Sequence, residues 1–168
     1  FLTATGGQDP GFDDLCWPED ASVYSTFWEE IDIEDGDEVA RDILAAGKRR
    51  PLMLATRYTM EHGFYANRMK DAGLDVMVPD EAGRALIHSV IFDELCQGKV
   101  LDTSRQRVLA LIETARAAGA DSVILGCTEI CLLLDPDALT LPGFDSTAIH
   151  ARAAVDFALG PVVASKAA

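Results

Sequence analysis

Ser122-Val123-Ile124-Leu125-Gly126-Cys127-Thr128-Glu129-Ile130 changes character halfway along. Val123, Ile124 and Leu125 form an apolar run, two of its three residues β-branched, that is too short for a buried helix, and they read as a strand. Gly126 ends that run, and Ile130 to Leu134 reads as a short helix after it. A strand apolar on both faces belongs inside a sheet covered by helices on both sides. Cys127 therefore stands at a junction where a central strand hands over to a helix.

The same alternation extends in both directions. Upstream, Thr103 or Ser104 opens a helix through Val108, Leu111, Ile112 and Ala115, stopped at Gly119. Before it, Asp80 caps a long helix whose apolar face holds Leu86, Ile87, Val90, Ile91 and Leu95. Leu74 to Val78 is a strand stopped by Pro79. Thr59 caps a helix carrying Met60, Phe64 and Met69, closed by Gly73, and Pro51 to Leu54 is a further strand. Asp35 or Asp37 caps a helix through Val39, Ile43 and Leu44 that stops at Gly47. Downstream, Leu139 to Phe144 is a fourth strand interrupted by Pro142. A last helix from Asp145-Ser146-Thr147 buries Ile149, Ala153, Ala154 and Phe157 and ends at Gly160.

Short apolar strands separated by amphipathic helices specify an α/β fold, here a four-stranded parallel sheet flanked by helices. Ligands of such sheets bind beyond the carboxyl ends of the strands. Thr56 to Thr59, Pro79-Asp80, Gly126 to Glu129 and Asp145 to Thr147 all gather at that edge. Two units follow: an irregular N-terminal segment over 1–36, a candidate for poor order, and an α/β lobe over 37–168. In the first, Val23 to Trp28 is a short strand or helix, and Gly6-Gly7-Gln8-Asp9-Pro10-Gly11 breaks any period.

Composition narrows the function. The 168 residues carry 28 acidic and 14 basic side chains, a formal charge of -14. Such a surface repels phosphate backbones and anionic membranes, so neither nucleic acid nor membrane is an expected partner. It also makes a small dianion hard to hold unless the pocket is locally positive. No stretch approaches the ~18 apolar residues of a membrane span. With Phe1 first and no basic n-region, no signal peptide is expected and the start reads as trimmed, processed or fragmentary. Four cysteines in this composition suit a reducing, cytoplasmic location. Without a GxGxxG fingerprint no nucleotide cofactor is expected.

A thiol at a helix N-terminus meets unpaired N–H groups and the positive end of the helix dipole, so Cys127 is expected to have a lowered pKa and to act as base or nucleophile. Gly126 lets the backbone approach a ligand, and Thr128 offers a hydroxyl and an amide to a carboxylate. Glu129 opposes thiolate formation but is able to orient a partner or hold an ammonium group. Cys131 shares a helical face with Cys127; two thiols with no nearby histidine make a weak metal site, and no metal is expected. Cys96 reads as a small core residue. His88 reads as a packing or surface histidine; His62 stays ambiguous, and Arg57 pairs either with a ligand carboxylate or with one of the many acids.

Three motifs in order also carry a likeness. Leu125-Gly126-Cys127-Thr128-Glu129-Ile130 resembles the second cysteine motif of the cofactor-independent aspartate/glutamate racemase family. Ala55-Thr56-Arg57-Tyr58-Thr59-Met60 is similar to that family's central G-T-R-F-T-M segment, and Phe144-Asp145-Ser146-Thr147-Ala148-Ile149-His150 to its closing D-T-T-x-I-H. With Val78-Pro79-Asp80 the likeness runs from about Asp37 to Gly160, closest to the aspartate racemase branch.

The resemblance implies one lobe of a two-lobed α/β protein, usually dimeric, whose active site lies between the lobes. One cysteine from each lobe faces the substrate α-carbon, and protons are exchanged without pyridoxal phosphate or any other cofactor. It implies Cys127 as an acid/base cysteine, Thr56, Tyr58, Thr59 and Thr128 as substrate-binding residues, and Glu129 and His150 as supporting residues. The implied ligand is a small acidic amino acid or another small carboxylate, and the implied assembly a homodimer. The family's first-lobe C-N-T motif is not recognisable in residues 1–36, and Leu15-Cys16-Trp17-Pro18 does not match it. The expected function is thus racemisation of aspartate or glutamate, incomplete if a first-lobe cysteine is needed. The alternatives are a single-cysteine, decarboxylase-like proton-transfer enzyme, or a truncated non-catalytic lobe that binds a carboxylate.

Overall fold

A computed structural model of the protein describes residues 36–159, apart from the side chains of Phe157 and Ala158. The expectations about residues 1–35, Cys16 and Phe157 lie outside the described residues.

The apolar runs form the sheet. β1 (Pro51–Leu54) and β2 (Ser122–Leu125) are buried along their whole lengths, and β3 (Gly143–Asp145) lies beyond β2. All pairings are parallel in the order β1-β2-β3, with Leu54 opposite Leu125 and Leu125 opposite Asp145. Pro51 is tolerated because it opens its strand.

Among the described residues the sheet has three strands where four were expected. Leu74 to Val78 contributes only a parallel bridge, Leu52 to Met77, on the free side of β1. Met77 N–H donates to Pro51 O and Met53 N–H to Met77 O, both at 2.8 Å. Pro79, two residues on, has no N–H with which to extend the ladder. The last strand also starts late: Pro142 lends its carbonyl to Val123 N–H at 2.9 Å, but regular pairing begins at Gly143.

Helices cover the sheet as the apolar spacing predicts. α1 (36–45) ends before Gly47, whose φ of 72° is the left-handed value glycine adopts freely. Where one helix capped by Thr59 was expected, two follow β1: α2 (Arg57–Glu61), capped by Thr56 with Thr59 inside it, and α3 (Phe64–Asp71), parted from it at Gly63, whose φ of 72° breaks the helix. α4 (Glu81–Ser89) runs into a π turn, Val90–Glu94, and a 3₁₀ turn, Leu95–Gln97, with Ile87, Val90, Ile91 and Leu95 in the core. α5 (Asp102–Ala117) begins ahead of both expected openings, Thr103 and Ser104, so Ser104 lies inside it, buried, donating to Glu94 Oε1 at 2.8 Å. α6 (Ile130–Leu133) is a single turn, and α7 (Ser146–Leu159) closes the described residues. Two expected core positions also fail: Cys96 and Ala154 are exposed. Cys96 lies in the 3₁₀ turn after the π turn, where the α-helical face no longer repeats.

The core joins both sheet faces through Ile43, Leu52, Leu54, Ile87, Ile112, Ile124 and Ile130, each at 1% exposure or less. Each such side chain stabilises the fold by about 1.5–3 kcal/mol relative to exposure. At the amino edge of the sheet, Asp121 accepts the N–H groups of Arg49 and Arg50 at 2.7 and 3.0 Å and the Ser122 hydroxyl at 2.9 Å. That carboxylate pins the entrances of β1 and β2 together.

Candidate functional site

Because all strands are parallel, their carboxyl ends share one edge, and the expected convergence occurs there. Past the last β1–β2 pair, Gly126 N–H still donates to Leu54 O at 2.8 Å. A Cβ on Gly126 would stand 3.1 Å from the Ala55 Cβ and 3.4 Å from Leu54 O. The missing side chain lets the two strand ends lie flush, which brings the turn bearing Cys127 beside the Thr56 turn.

On the β1 side, Thr56 is the N-cap of α2: its Oγ1 accepts the Thr59 N–H at 3.4 Å, and the two hydroxyls are 3.0 Å apart. Tyr58 is 64% exposed, with its ring 4.1 Å from that of His62 and 6.3 Å from that of Phe64. Arg57 Nε donates to Glu61 Oε1 at 2.9 Å, so within the structure the arginine pairs with a neighbouring acid. On the β3 side Asp145 caps α7 by accepting Ala148 N–H at 3.1 Å, and the half-buried His150 lies one turn further on. His88 is exposed and its ring lies 4.6 Å from that of Phe92, as a surface histidine.

The Cys127 thiol corrects the electrostatic expectation. Its pKa is pushed up to about 11, chiefly by burial. The backbone N–H groups of Ile130 and Glu129 point at the sulfur and pull it down, but the Glu129 carboxylate adds to the rise. A one-turn helix supplies little dipole to offset this. Cys127 is therefore a thiol at neutral pH, equipped to give a proton. Glu129 is held below its usual range by the Thr128 hydroxyl, so a fixed carboxylate sits beside the thiol.

Cys131 lies on the same turn, its Sγ 3.9 Å from Cys127 O. Burial, and then the charge of Asp145, push its thiol up to about 12. Cys131 also lines a pocket of about 310 Å³ with Arg105, Leu109, Leu132 and Leu139, but none of Cys127, Thr56 and Thr128 reaches that pocket.

Two residues at this edge escaped the sequence reading. Arg84 in the first turn of α4 donates from Nε to the same Glu61 Oε1 at 3.0 Å and from Nη1 to Pro79 O at 2.8 Å. The Arg57-to-Glu61 spacing of four was a visible signal for half of this cluster. Nothing in the sequence announced Arg84, which arrives from 23 residues away.

The carboxyl edge of this parallel α/β lobe thus presents a protonated thiol, threonine hydroxyls and two arginines. The model of the Asp/Glu/Hydantoin racemase family matches residues 33–154, and the chain belongs to that family. A structure from Yersinia pestis, described as a candidate Asp/Glu racemase, is 41% identical with a TM-score of 0.71, over 75% of this chain and 55% of that one. An aspartate racemase homologue from Pyrococcus horikoshii OT3 is 35% identical with a TM-score of 0.70, over the same shares. The Picrophilus torridus aspartate racemase, at 24% identity and a TM-score of 0.57 over 74% of this chain and 51% of that one, shares the fold. The chain thus spans about half the length of these relatives. No helix among the described residues is long and apolar enough to cross a membrane.

Proposed function

We propose that this chain provides the Cys127 half of a cofactor-independent racemase site for aspartate or glutamate. The observation that carries the reading is the Cys127 thiol, held protonated next to a fixed carboxylate and across a flush strand end from the Thr56 turn. Racemisation needs an α-proton removed from one face and another delivered to the opposite face. A thiol held protonated is in the form that delivery requires. Thr56, Tyr58, Thr59 and Thr128 contact the bound substrate, Glu129 adds to the burial that keeps Cys127 protonated, and His150 supports the β3 end. The base on the other face comes from outside the described residues, and so does the homodimer partner the family resemblance implies. A cytoplasmic setting suits free thiols in such a role.

A second reading is favoured by the same protonated thiol: single-face protonation, as in a decarboxylase-like enzyme, asks only for an acid on one side. Incubation with L-aspartate or L-glutamate in D₂O separates the two. Deuterated product of both hands is expected for racemisation. Exchange with retained chirality supports a single acid/base group, and no exchange in folded, reduced protein overturns both.

A further inference from the structure

A chain of formal charge -14 repels a dianionic substrate unless something local reverses the sign. The Arg57–Glu61–Arg84 cluster does so. Two guanidiniums share one oxygen of one carboxylate, leaving the cluster with an excess of one positive charge. Arginine carries five N–H donors. Arg57 uses only Nε, and Arg84 only Nε and Nη1, so both keep unused donors among the described residues. Neither guanidinium is fully solvated: side-chain exposure is 44% for Arg57 and 23% for Arg84.

Position matters as much as charge. Arg57 follows Thr56 at the end of β1, the strand next to the one that ends in Cys127. Arg84 opens α4 just after the Met77 bridge, one position further out. Neighbouring strands lie about 4.8 Å apart, so the pair's elements stand one and two strand spacings from the thiol's. Arg84 is also fixed in place, by Pro79 O at 2.8 Å and by the Asp80 cap on Gly83 N–H at 2.8 Å.

We infer that Arg57 and Arg84, pre-aligned by Glu61, receive the distal carboxylate of a four- or five-carbon dicarboxylate whose α-carbon lies at Cys127. The inference rests on the racemase reading for the α-carbon but not for the binding itself. Within the Asp/Glu/Hydantoin family it selects the acidic amino acids over the neutral hydantoins. Glu61 is a resident competitor that the incoming carboxylate joins or displaces.

Isothermal titration calorimetry with succinate, and with butyrate as its monocarboxylate counterpart, tests this without requiring turnover. Wild type should prefer succinate, the more so at low salt. Arg84→Gln and Arg57→Gln should each weaken succinate binding about tenfold or more, the loss of a charged hydrogen bond, and leave butyrate unchanged. Thermal melts followed by circular dichroism check that the variants fold. Glu61→Gln should tighten succinate binding, whereas a purely structural cluster would lose stability with no gain in binding. Equal binding of succinate and butyrate by wild type, or folded Arg→Gln variants that bind succinate as wild type does, overturns the inference. α-Deuteration of aspartate in the same samples reports on Cys127 separately. No exchange with succinate preference intact would support the cation pair while overturning the proton-transfer reading.

Discussion

The two edges of this small sheet are built from similar residues and spend them differently. At the amino edge, Asp121 takes two backbone N–H groups and a hydroxyl, and Arg50 pairs with Asp75 at 2.8 Å while also reaching Ala118 O. Polar groups there are engaged with the fold's own backbone. At the carboxyl edge, Thr56 and Thr59 face each other, Cys127 leans on Glu129, and two arginines share one glutamate oxygen. Those groups keep capacity for an outside partner. One edge is committed to holding strands together and the other is held ready, which is how a rigid scaffold presents a reactive ledge.

Breaking the carboxyl edge should cost activity before stability. Cys127→Ser should lower α-proton exchange by about 10²–10⁴-fold, the range typical of a positioned acid or base, with an unchanged melting temperature. Alkylation of Cys127 in wild type, followed peptide by peptide in the mass spectrometer, should be slow at pH 8 and accelerate as pH rises toward 11; a plateau already at pH 8 would contradict the raised pKa. Breaking the frame should do the reverse. A Cβ on Gly143 would meet the Pro136 backbone at 2.7 Å, so Gly143→Ala should destabilise by about 1–3 kcal/mol in denaturant titrations.

Asp121→Ala should cost about 1–3 kcal/mol with substrate binding preserved, because three donors lose a charged acceptor. Burial opposes ionisation of Asp121, but the Arg49 and Arg50 N–H groups and the Ser122 hydroxyl hold it below the usual carboxylate range. Its contribution is therefore full above the ordinary aspartate pKa and is lost as pH falls through the lowered one. Acid unfolding profiles should show wild type and Asp121→Ala converging at low pH. The smallest effect sharpens the contrast: Thr56→Ala removes a cap worth about 1 kcal/mol, and should lower substrate affinity more visibly than it lowers the melting temperature.

Much of the frame was legible because burial writes itself into composition. Leu52 to Leu54 and Val123 to Leu125 are apolar throughout since both of their faces are covered, and the caps at Asp80 and Asp145 stand where expected, whereas α2 is capped by Thr56 and not by Thr59. Pairing was less legible than strand propensity. Val76-Met77-Val78 looks like a strand, yet Pro79 leaves room for only a bridge. The site was legible as a place and misread as an environment. Cys127 sits where expected, but a one-turn helix and a buried sulfur reverse the expected direction of its pKa. Long-range partners were hidden altogether, because Arg84 meets Glu61 through the packing of α4 against α2.

The ion pair between Arg152 of α7 and Asp42 of α1 has a consequence for a cut chain. It ties the first described helix to the last across 110 residues of sequence. The exposed segment from Gly98 to Leu101, where Gly98 takes a φ of 71°, is a natural place for a protease to nick the chain. A chain nicked there should stay assembled, because the pairing of β1 with β2 and the clasp between α1 and α7 both span the break.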